Sequence, residues 1–160
     1  MLVEVPKKRR FTVYLDEHVD PVMKEIFTAV GFRCIRIAES KYRGQDERDY
    51  IGKLRSESAV FVTGDQEFVE DVDERKIRHG GIIWIPASLL REEKQTLAAI
   101  MAGYLQGVDL RLMKEIVMYM AHDGLRVHRG DKDELVYSFP QINRDLEDFL
   151  RSADTSHPGL

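Results

Sequence analysis

The stretch Phe11-Thr-Val-Tyr-Leu-Asp16 decides the fold. Its β-branched and aromatic residues carry no charge before the final aspartate, which is typical of a central strand buried on both faces. Asp20 and Pro21 then supply a helix start, and apolar residues recur at helical spacing until Gly31 ends the run. The sequence therefore opens with a strand, a helix and a terminating glycine.

This strand and helix unit is repeated along the next part of the chain. Strands are predicted at about 32–37, 59–63 and 81–86, and helices at about 46–56 and 67–76. Alternation of this kind predicts a parallel sheet with right-handed crossovers. We therefore predict an α/β fold of three layers, α/β/α, around a central and mostly parallel sheet.

Beyond the core, two segments show apolar residues at helical spacing. The first contains Leu97, Ile100, Met101, Tyr104 and Leu105, and the second contains Leu110, Met113, Val117 and Met120. Residues 125–129 and 134–139 predict a hairpin. We predict one domain over residues 1–150, with a core at 11–86, a helical and hairpin elaboration at 87–140, and a flexible tail at 151–160.

Composition bounds the class of protein. The chain has 160 residues, 43 % of them hydrophobic, which suits one domain with one substantial core. Its charged fraction of 32 % is typical of globular proteins. It contains no apolar run of the roughly 20 residues that cross a bilayer, and no hydrophobic segment of signal-peptide length near its start. We expect a cytoplasmic protein, with the single Cys34 as a buried, inert thiol.

Charge is spread unevenly along the chain. Residues 1–55 carry a net charge of +3, whereas residues 56–160 carry −7. Eight of the basic side chains in this part precede the first predicted strand or lie in and after the second, and they are Lys7, Lys8, Arg9, Arg10, Arg33, Arg36, Lys41 and Arg43. Together they suit contact with a phosphate backbone, although the first four also suit a simple solubilising arm. Tyr42 is the better candidate for stacking on a base, whereas Trp84 is expected in the core.

Acidic residues collect where the predicted strands end. Asp16 and Glu17 follow the first strand, Asp65 and Glu67 follow the third, and Asp46 starts the helix between the second and third. Ligands of open parallel sheets bind outside the carboxyl ends of the strands. We therefore expect these side chains to share one site.

Converging carboxylates repel one another, and their pKa values rise unless a cation compensates the charge. Mg²⁺ or Mn²⁺ prefers oxygen ligands and commonly contacts substrate phosphates. A cation of this kind generates hydroxide from water and neutralises charge on a leaving oxygen. The acids therefore predict hydrolysis of a phosphodiester.

Four motifs in this order carry a resemblance to a known family. They are Leu15-Asp16-Glu17-His18, Val30-Gly31-Phe32, Arg43-Gly44-Gln45-Asp46-Glu47 and Val62-Thr63-Gly64-Asp65-Gln66-Glu67-Phe68. The chain resembles the small stand-alone PIN-like proteins, which are related to PIN-domain ribonuclease toxins. The resemblance covers about residues 11–86.

The resemblance implies a PIN-like fold and an endoribonuclease dependent on Mg²⁺ or Mn²⁺, often a toxin neutralised by an antitoxin. By the same resemblance, the metal ligands are Asp16, Asp46 and Asp65, the supporting acids are Glu17 and Glu67, and Thr63 is an orienting hydroxyl. RNA is the expected substrate. The half from about residue 87 lies outside the resemblance and is a candidate for dimerisation or for binding a protein partner.

The chain departs from the family pattern at two places. Glu67 stands where Asp is commoner, which lengthens the side chain by one methylene. The helix after Asp46 is also one residue out of step, so Asp49 is a second candidate for the middle ligand.

Two other functions use the same residues. A phosphoacceptor receiver domain has an acidic pair after its first strand, an Asp after its third and a Ser or Thr after its fourth, loosely matched by Ser88. A receiver also needs a lysine after its fifth strand, and no convincing match is present. The second alternative is a PIN-like module that binds or regulates without catalysis. The five histidines show no paired metal-ligand spacing, and His18 alone is expected near the site.

Overall fold

The computed structural model describes residues 11–155, with side chains to residue 152. In this range the strands are β1 (Thr12–Leu15), β2 (Arg33–Arg36), β3 (Val60–Thr63), β4 (Ile82–Trp84), β5 (Val117–Ala121), β6 (Gly124–Arg129) and β7 (Lys132–Ser138). The α-helices are α1 (Val22–Ala29), α2 (Glu47–Ser56), α3 (Gln66–Arg75), α4 (Arg91–Leu105) and α5 (Phe139–Thr155). The basic run Lys7–Arg10 lies outside the described residues.

All seven strands form one sheet in the order β2-β1-β3-β4-β5-β6-β7. Strands β1 to β5 pair with one another in parallel, and β6 and β7 add an antiparallel hairpin beside β5. Leu15, the last residue of β1, pairs with Arg36 of β2 and Val62 of β3. The predicted α/β fold with a central, mostly parallel sheet is confirmed.

Side chains of β1 alternate between two hydrophobic cores. Val13 and Leu15 pack with residues of α1 and α4 on one face of the sheet. Tyr14 packs with residues of α2 and α3 on the other. Each large apolar side chain contributes about 1.5–3 kcal/mol to the stability of the fold when it is fully buried. The two cores therefore hold β1 in place up to its last residue. Asp16, the next residue, lies at the carboxyl edge of the sheet.

The prediction of a second helix beyond the core is wrong. Leu110–Met113 forms a short 3-10 helix, and Val117–Ala121 is strand β5. Glu115 separates them with a φ of 65°, a left-handed conformation that interrupts helical geometry. Val117 then pairs with Ile82 of β4, so sheet pairing overrides the helical spacing of the apolar residues.

Helix α5 was not predicted. It spans Phe139–Thr155, so it overlaps the first residues of the tail predicted from residue 151. Its apolar side chains at Leu146, Phe149 and Leu150 are more than half exposed. None of the helices in the described range is long and apolar enough to cross a bilayer.

Two predictions about single aromatic or sulfur side chains have different outcomes. Tyr42 is buried against Tyr50, with ring centroids 5.3 Å apart, so the prediction of an exposed stacking residue is wrong. Cys34 is buried as expected, and burial raises the pKa of its thiol to about 12.

Substitution of Gly124 tests the junction between β5 and β6. Gly124 has a φ of +142°, and a Cβ there would lie 2.3 Å from the Tyr137 carbonyl oxygen. We expect Gly124→Ala to lower the free energy of unfolding by more than about 2 kcal/mol, since strain and overlap act together. Urea titration measures this loss.

Gly52→Ala is the matched control. Gly52 lies inside α2 with no atom within 4 Å of an added Cβ, so alanine should stabilise the protein by about 0.5–1 kcal/mol. Equal midpoints for Gly124→Ala and the wild type would contradict the described backbone.

Candidate functional site

Asp16 is a buried carboxylate at the carboxyl end of the central strand β1. Only 5 % of its surface is exposed. Its Oδ2 accepts a hydrogen bond of 2.8 Å from Thr63 Oγ1, and its Oδ1 accepts one of 2.7 Å from the backbone N–H of Glu17. Burial raises the pKa of Asp16 despite these bonds, and the nearby charge of Asp65 raises it further. Asp16 is therefore held firmly in place, with its charge only partly compensated.

Thr63 connects Asp16 to Asp65. The Thr63 side chain is fully buried at the end of β3, and its hydroxyl oxygen accepts a hydrogen bond of 3.1 Å from the backbone N–H of Asp65. Its hydroxyl hydrogen is directed to Asp16. Asp65 in turn is the N-cap of α3, where its Oδ1 accepts from the N–H of Phe68 at 3.1 Å. One hydroxyl thus contacts the carboxylate of Asp16 and the backbone of Asp65.

Helix α2 offers Glu47 as a third candidate acid, because the charges of Asp16 and Asp65 act on its carboxyl group. Asp46 is the N-cap of α2, as Asp65 is of α3, and its side chain accepts from the N–H of Arg48 at 2.9 Å. Within the described part of the chain, and unlike Asp65, Asp46 also forms an ion pair with the Arg48 guanidinium, which partly neutralises it. Hydrogen bonding to Arg48 lowers the pKa of Asp46. Glu47 is half-buried, and its pKa is raised by burial and by the charges of Asp16, Asp46 and Asp65.

Sequence reasoning missed Glu47 because the aspartates on either side of it drew the metal assignment. Asp49, the alternative to Asp46, is exposed in the first turn of α2. The sequence did contain a signal for Glu47. Asp is a favoured N-cap residue, and if Asp46 is the N-cap, Glu47 is the first residue of the helix. We name Asp16, Glu47 and Asp65 the acidic group.

The two predicted supporting acids lie in different surroundings. Glu17 Oε1 accepts a hydrogen bond of 2.7 Å from the N–H of Gly44, so Glu17 ties the loop after β1 to the loop before α2. Glu67 is exposed in the first turn of α3, and it makes no hydrogen bond or ion pair to any residue in the described part of the chain. The structure gives Glu17 a positioning contact and gives Glu67 none.

The predicted basic surface is partly neutralised by local acids. Arg36 lies 2.9 Å from Glu39, and Lys41 lies 3.8 Å from Glu57. Arg33 and Arg43 are exposed.

The donor chemistry of the acidic group fits a hard divalent cation. All donors are carboxylate oxygens or the Thr63 hydroxyl, as Mg²⁺ and Mn²⁺ prefer. Within residues 11–152, no three His, Cys, Asp or Glu side chains already converge on one metal position. Glu47 is half-buried, and Asp65 is exposed with its Oδ1 engaged by the N–H of Phe68. Burial is the main cause of the raised pKa values of Asp16 and Glu47, and the charges of neighbouring acids add to it. A bound cation would relieve this added repulsion.

Three comparisons with known proteins give no relative for this chain. No family model matches it, no curated protein matches it, and no solved structure matches it. The residues and their geometry are therefore the basis for any functional conclusion.

Thermal unfolding of the metal-free protein tests the repulsion in the acidic group. A raised carboxyl pKa means that the folded state binds protons more tightly than the unfolded state, so stability falls as pH rises from about 4 through the raised value. We expect Glu47→Gln to raise the melting temperature at pH 7.5 by about 1–2 °C, the effect of removing roughly 0.5 kcal/mol of like-charge repulsion.

Added Mg²⁺ provides the matching comparison. It should stabilise the wild type through binding to the folded state and should stabilise Glu47→Gln less. Glu67→Gln is the control, because Glu67 lies in the first turn of α3 and is exposed. If both variants melt and respond to Mg²⁺ like the wild type, Glu47 is not part of the group.

Proposed function

We propose that this protein is a PIN-like endoribonuclease that hydrolyses RNA phosphodiester bonds with the help of Mg²⁺ or Mn²⁺. One observation carries the proposal most strongly. A buried Asp16, fixed by Thr63, shares the carboxyl edge of the sheet with Asp65 and Glu47, and burial, together with the charges of neighbouring acids, raises the pKa values of Asp16 and Glu47. Charge clustering without neutralising partners is frequent at functional sites.

Each member of the acidic group has a separate task in the proposed reaction. Asp16 is the fixed ligand, because two hydrogen bonds hold both of its oxygens. Asp65 and Glu47 are ligands on the first turns of helices, where their side chains can adjust to substrate. A bound divalent cation supplies hydroxide at neutral pH and offsets charge on the reacting phosphate.

Thr63 is a positioning residue in this proposal. It is fully buried, and it orients Asp16 through its hydroxyl hydrogen and Asp65 through its hydroxyl oxygen. Loss of the hydroxyl leaves a buried carboxylate oxygen without its donor, which is costly. We expect the ligand geometry to depend on Thr63 without any direct role for it in the reaction.

A receiver-like function has one observation in its favour. The order β2-β1-β3-β4-β5 is the order of flavodoxin-like folds, which include receivers. However, β5 is followed by His122 and Asp123 rather than by a lysine, and Ser88 lies four residues beyond the end of β4. Glu47 also has no task in a receiver. We therefore prefer hydrolysis.

A protein partner stays part of the proposal, whether it is an antitoxin, another regulator or a second copy of the chain. The apolar side chains that α5 leaves exposed are Leu146, Phe149 and Leu150. Exposed apolar groups of this kind gain most from contact with another protein. A PIN-like module that binds RNA without cleaving it is the remaining alternative.

RNA cleavage by purified variants tests the function and the assignment of the α2 acid together. We expect Mg²⁺- or Mn²⁺-dependent cleavage of labelled single-stranded RNA by the wild type. Asp16→Asn, Asp65→Asn and Glu47→Gln should each reduce the rate about 100-fold or more, since charge stabilisation of this type contributes several kcal/mol.

Asp46→Asn and Asp49→Asn are the matched controls on the same helix. Asn is nearly as good an N-cap as Asp, so both proteins should fold and retain most of the activity. Equal loss in Asp46→Asn and Glu47→Gln would return Asp46 to the ligand set. Equal cleavage by the wild type and Asp16→Asn would reject the proposed site.

A further inference from the structure

A small cavity adjoins the acidic group on the side of α1 and α4. It has a volume of about 220 Å³ and shares Asp16 and Asp65 with the acidic group. Its remaining wall is mostly apolar, and it includes Val19, Met23 and Ile85. The cavity thus places an apolar surface directly beside carboxylates.

Two basic side chains line the same cavity. Lys94 projects from the first turns of α4, and His18 follows the acids of the loop after β1. Lys94 is half-buried, and it forms no ion pair with any described residue. Its neighbour Arg91 is engaged differently, because its Nε lies 2.8 Å from Asp20 Oδ2. That ion pair fixes the start of α4 against the loop after β1.

We propose that this cavity is a subsite for one unpaired nucleotide next to the scissile bond, with Lys94 as the ligand of a substrate phosphate. The inference rests on the proposed ribonuclease function. In this arrangement the base packs against Val19, Met23 and Ile85. Lys94 then meets the backbone phosphate at the mouth of the cavity, beside the acidic group.

The size and lining of the cavity favour a base over other occupants. Pockets for drug-sized ligands measure about 300–1,000 Å³, so about 220 Å³ suits a smaller group such as one base. The carboxylates of Asp16, Asp20 and Asp65 in its lining disfavour a free phosphate, and the apolar wall away from them gives a hydrated cation little to bind. A base can enter only when it is unstacked and unpaired, as in single-stranded RNA loops and ends. The substrate class is therefore single-stranded RNA.

Ala87 allows the cavity to be narrowed without disturbing the core. Ala87 lines the cavity and is exposed. Its Cβ lies 3.2 Å from the position that a Cβ on Gly64 would occupy, so the two residues already stand close together. A leucine at position 87 should fill the opening while the protein remains folded.

Binding of short RNA separates this inference from catalysis. The probes are fluorescein-labelled hexaadenylate and hexauridylate, together with versions that carry one abasic ribose at each position in turn. Anisotropy is measured in Ca²⁺, a hard cation with oxygen ligands that keeps the acidic group neutralised. The proteins are the wild type, Lys94→Ala, Lys94→Arg and Ala87→Leu. The matched controls are Lys53→Ala on the exposed side of α2 and Ala29→Leu at the far end of α1.

We expect Lys94→Ala to weaken binding about fivefold to tenfold and to reduce the slope of log affinity against log salt by about one, as for loss of one phosphate contact. Lys94→Arg should retain the slope. Ala87→Leu should weaken binding of the intact hexamers. The variant and the wild type should bind with equal affinity the hexamer whose abasic ribose removes the base that enters the cavity. Both control variants should match the wild type.

Two results distinguish the subsite from the proposed reaction. Unchanged affinity and salt slope in Lys94→Ala, with normal RNA cleavage by the wild type, would overturn the subsite and leave the ribonuclease function standing. Dependence of binding on Lys94 and Ala87, in a wild type that cleaves no RNA, would support the subsite and reject the hydrolysis. The subsite would also be overturned if abasic substitution lowers the RNA affinity of the Ala87→Leu variant as strongly as it lowers that of the wild type.

Discussion

The hydrogen bond between Thr63 Oγ1 and Asp16 Oδ2 is the interaction on which the site depends. It joins the ends of the two central strands β1 and β3 and lies in the buried interior of the carboxyl edge. A buried carboxylate is costly unless hydrogen bonds or positive charge compensate it. Here two hydrogen bonds compensate Asp16 in part, whereas burial and, to a smaller extent, the charge of Asp65 raise its pKa. The fold thus holds a carboxylate whose charge is only partly compensated.

The same edge of the sheet also collects the beginnings of four helices. Helix α1 starts after Pro21, α2 after Asp46, α3 after Asp65, and α4 after Leu90. The positive ends of helix dipoles favour nearby anions. They therefore offset part of the repulsion within the acidic group and suit an approaching phosphate. The net charge of −4 therefore does not by itself argue against the anionic substrate that we propose.

The core of the fold was predictable because β1 and β3 are short apolar runs followed by Asp16 and Gly64. The segment from 110 to 121 was predicted as helix from apolar residues at every third or fourth position, but the continuous apolar run Val117–Ala121 within it also fits a buried strand. The left-handed Glu115 and pairing with β4 decide between them, and neither is visible in one sequence. The tail was assigned because it lies at the end of the chain. However, apolar residues at helical spacing continue beyond residue 139, and this segment forms helix α5.

Candidate site residues can be named from the sequence where strand ends fix them, whereas the acid of α2 depends on helix geometry. Asp16, Thr63 and Asp65 follow directly from the ends of β1 and β3. The position of the Glu47 side chain could not be predicted without the rotation of α2 about its axis. That rotation depends on which of several consecutive polar residues is the N-cap. Lys94 comes from α4, far along the chain, and only the packing of α4 against α1 brings it to this edge.

A crystal structure with Mn²⁺, read by its anomalous scattering, tests the central claim most directly. The account predicts one strong peak at the carboxyl edge, within coordination distance of Asp16 and approached by rotated side chains of Glu47 and Asp65. A peak bound by other acids would contradict the assignment of the site. Absence of any peak at this edge, with Asp16 still bonded only to Thr63 and the N–H of Glu17, would contradict the claim that the buried carboxylate exists to hold a cation.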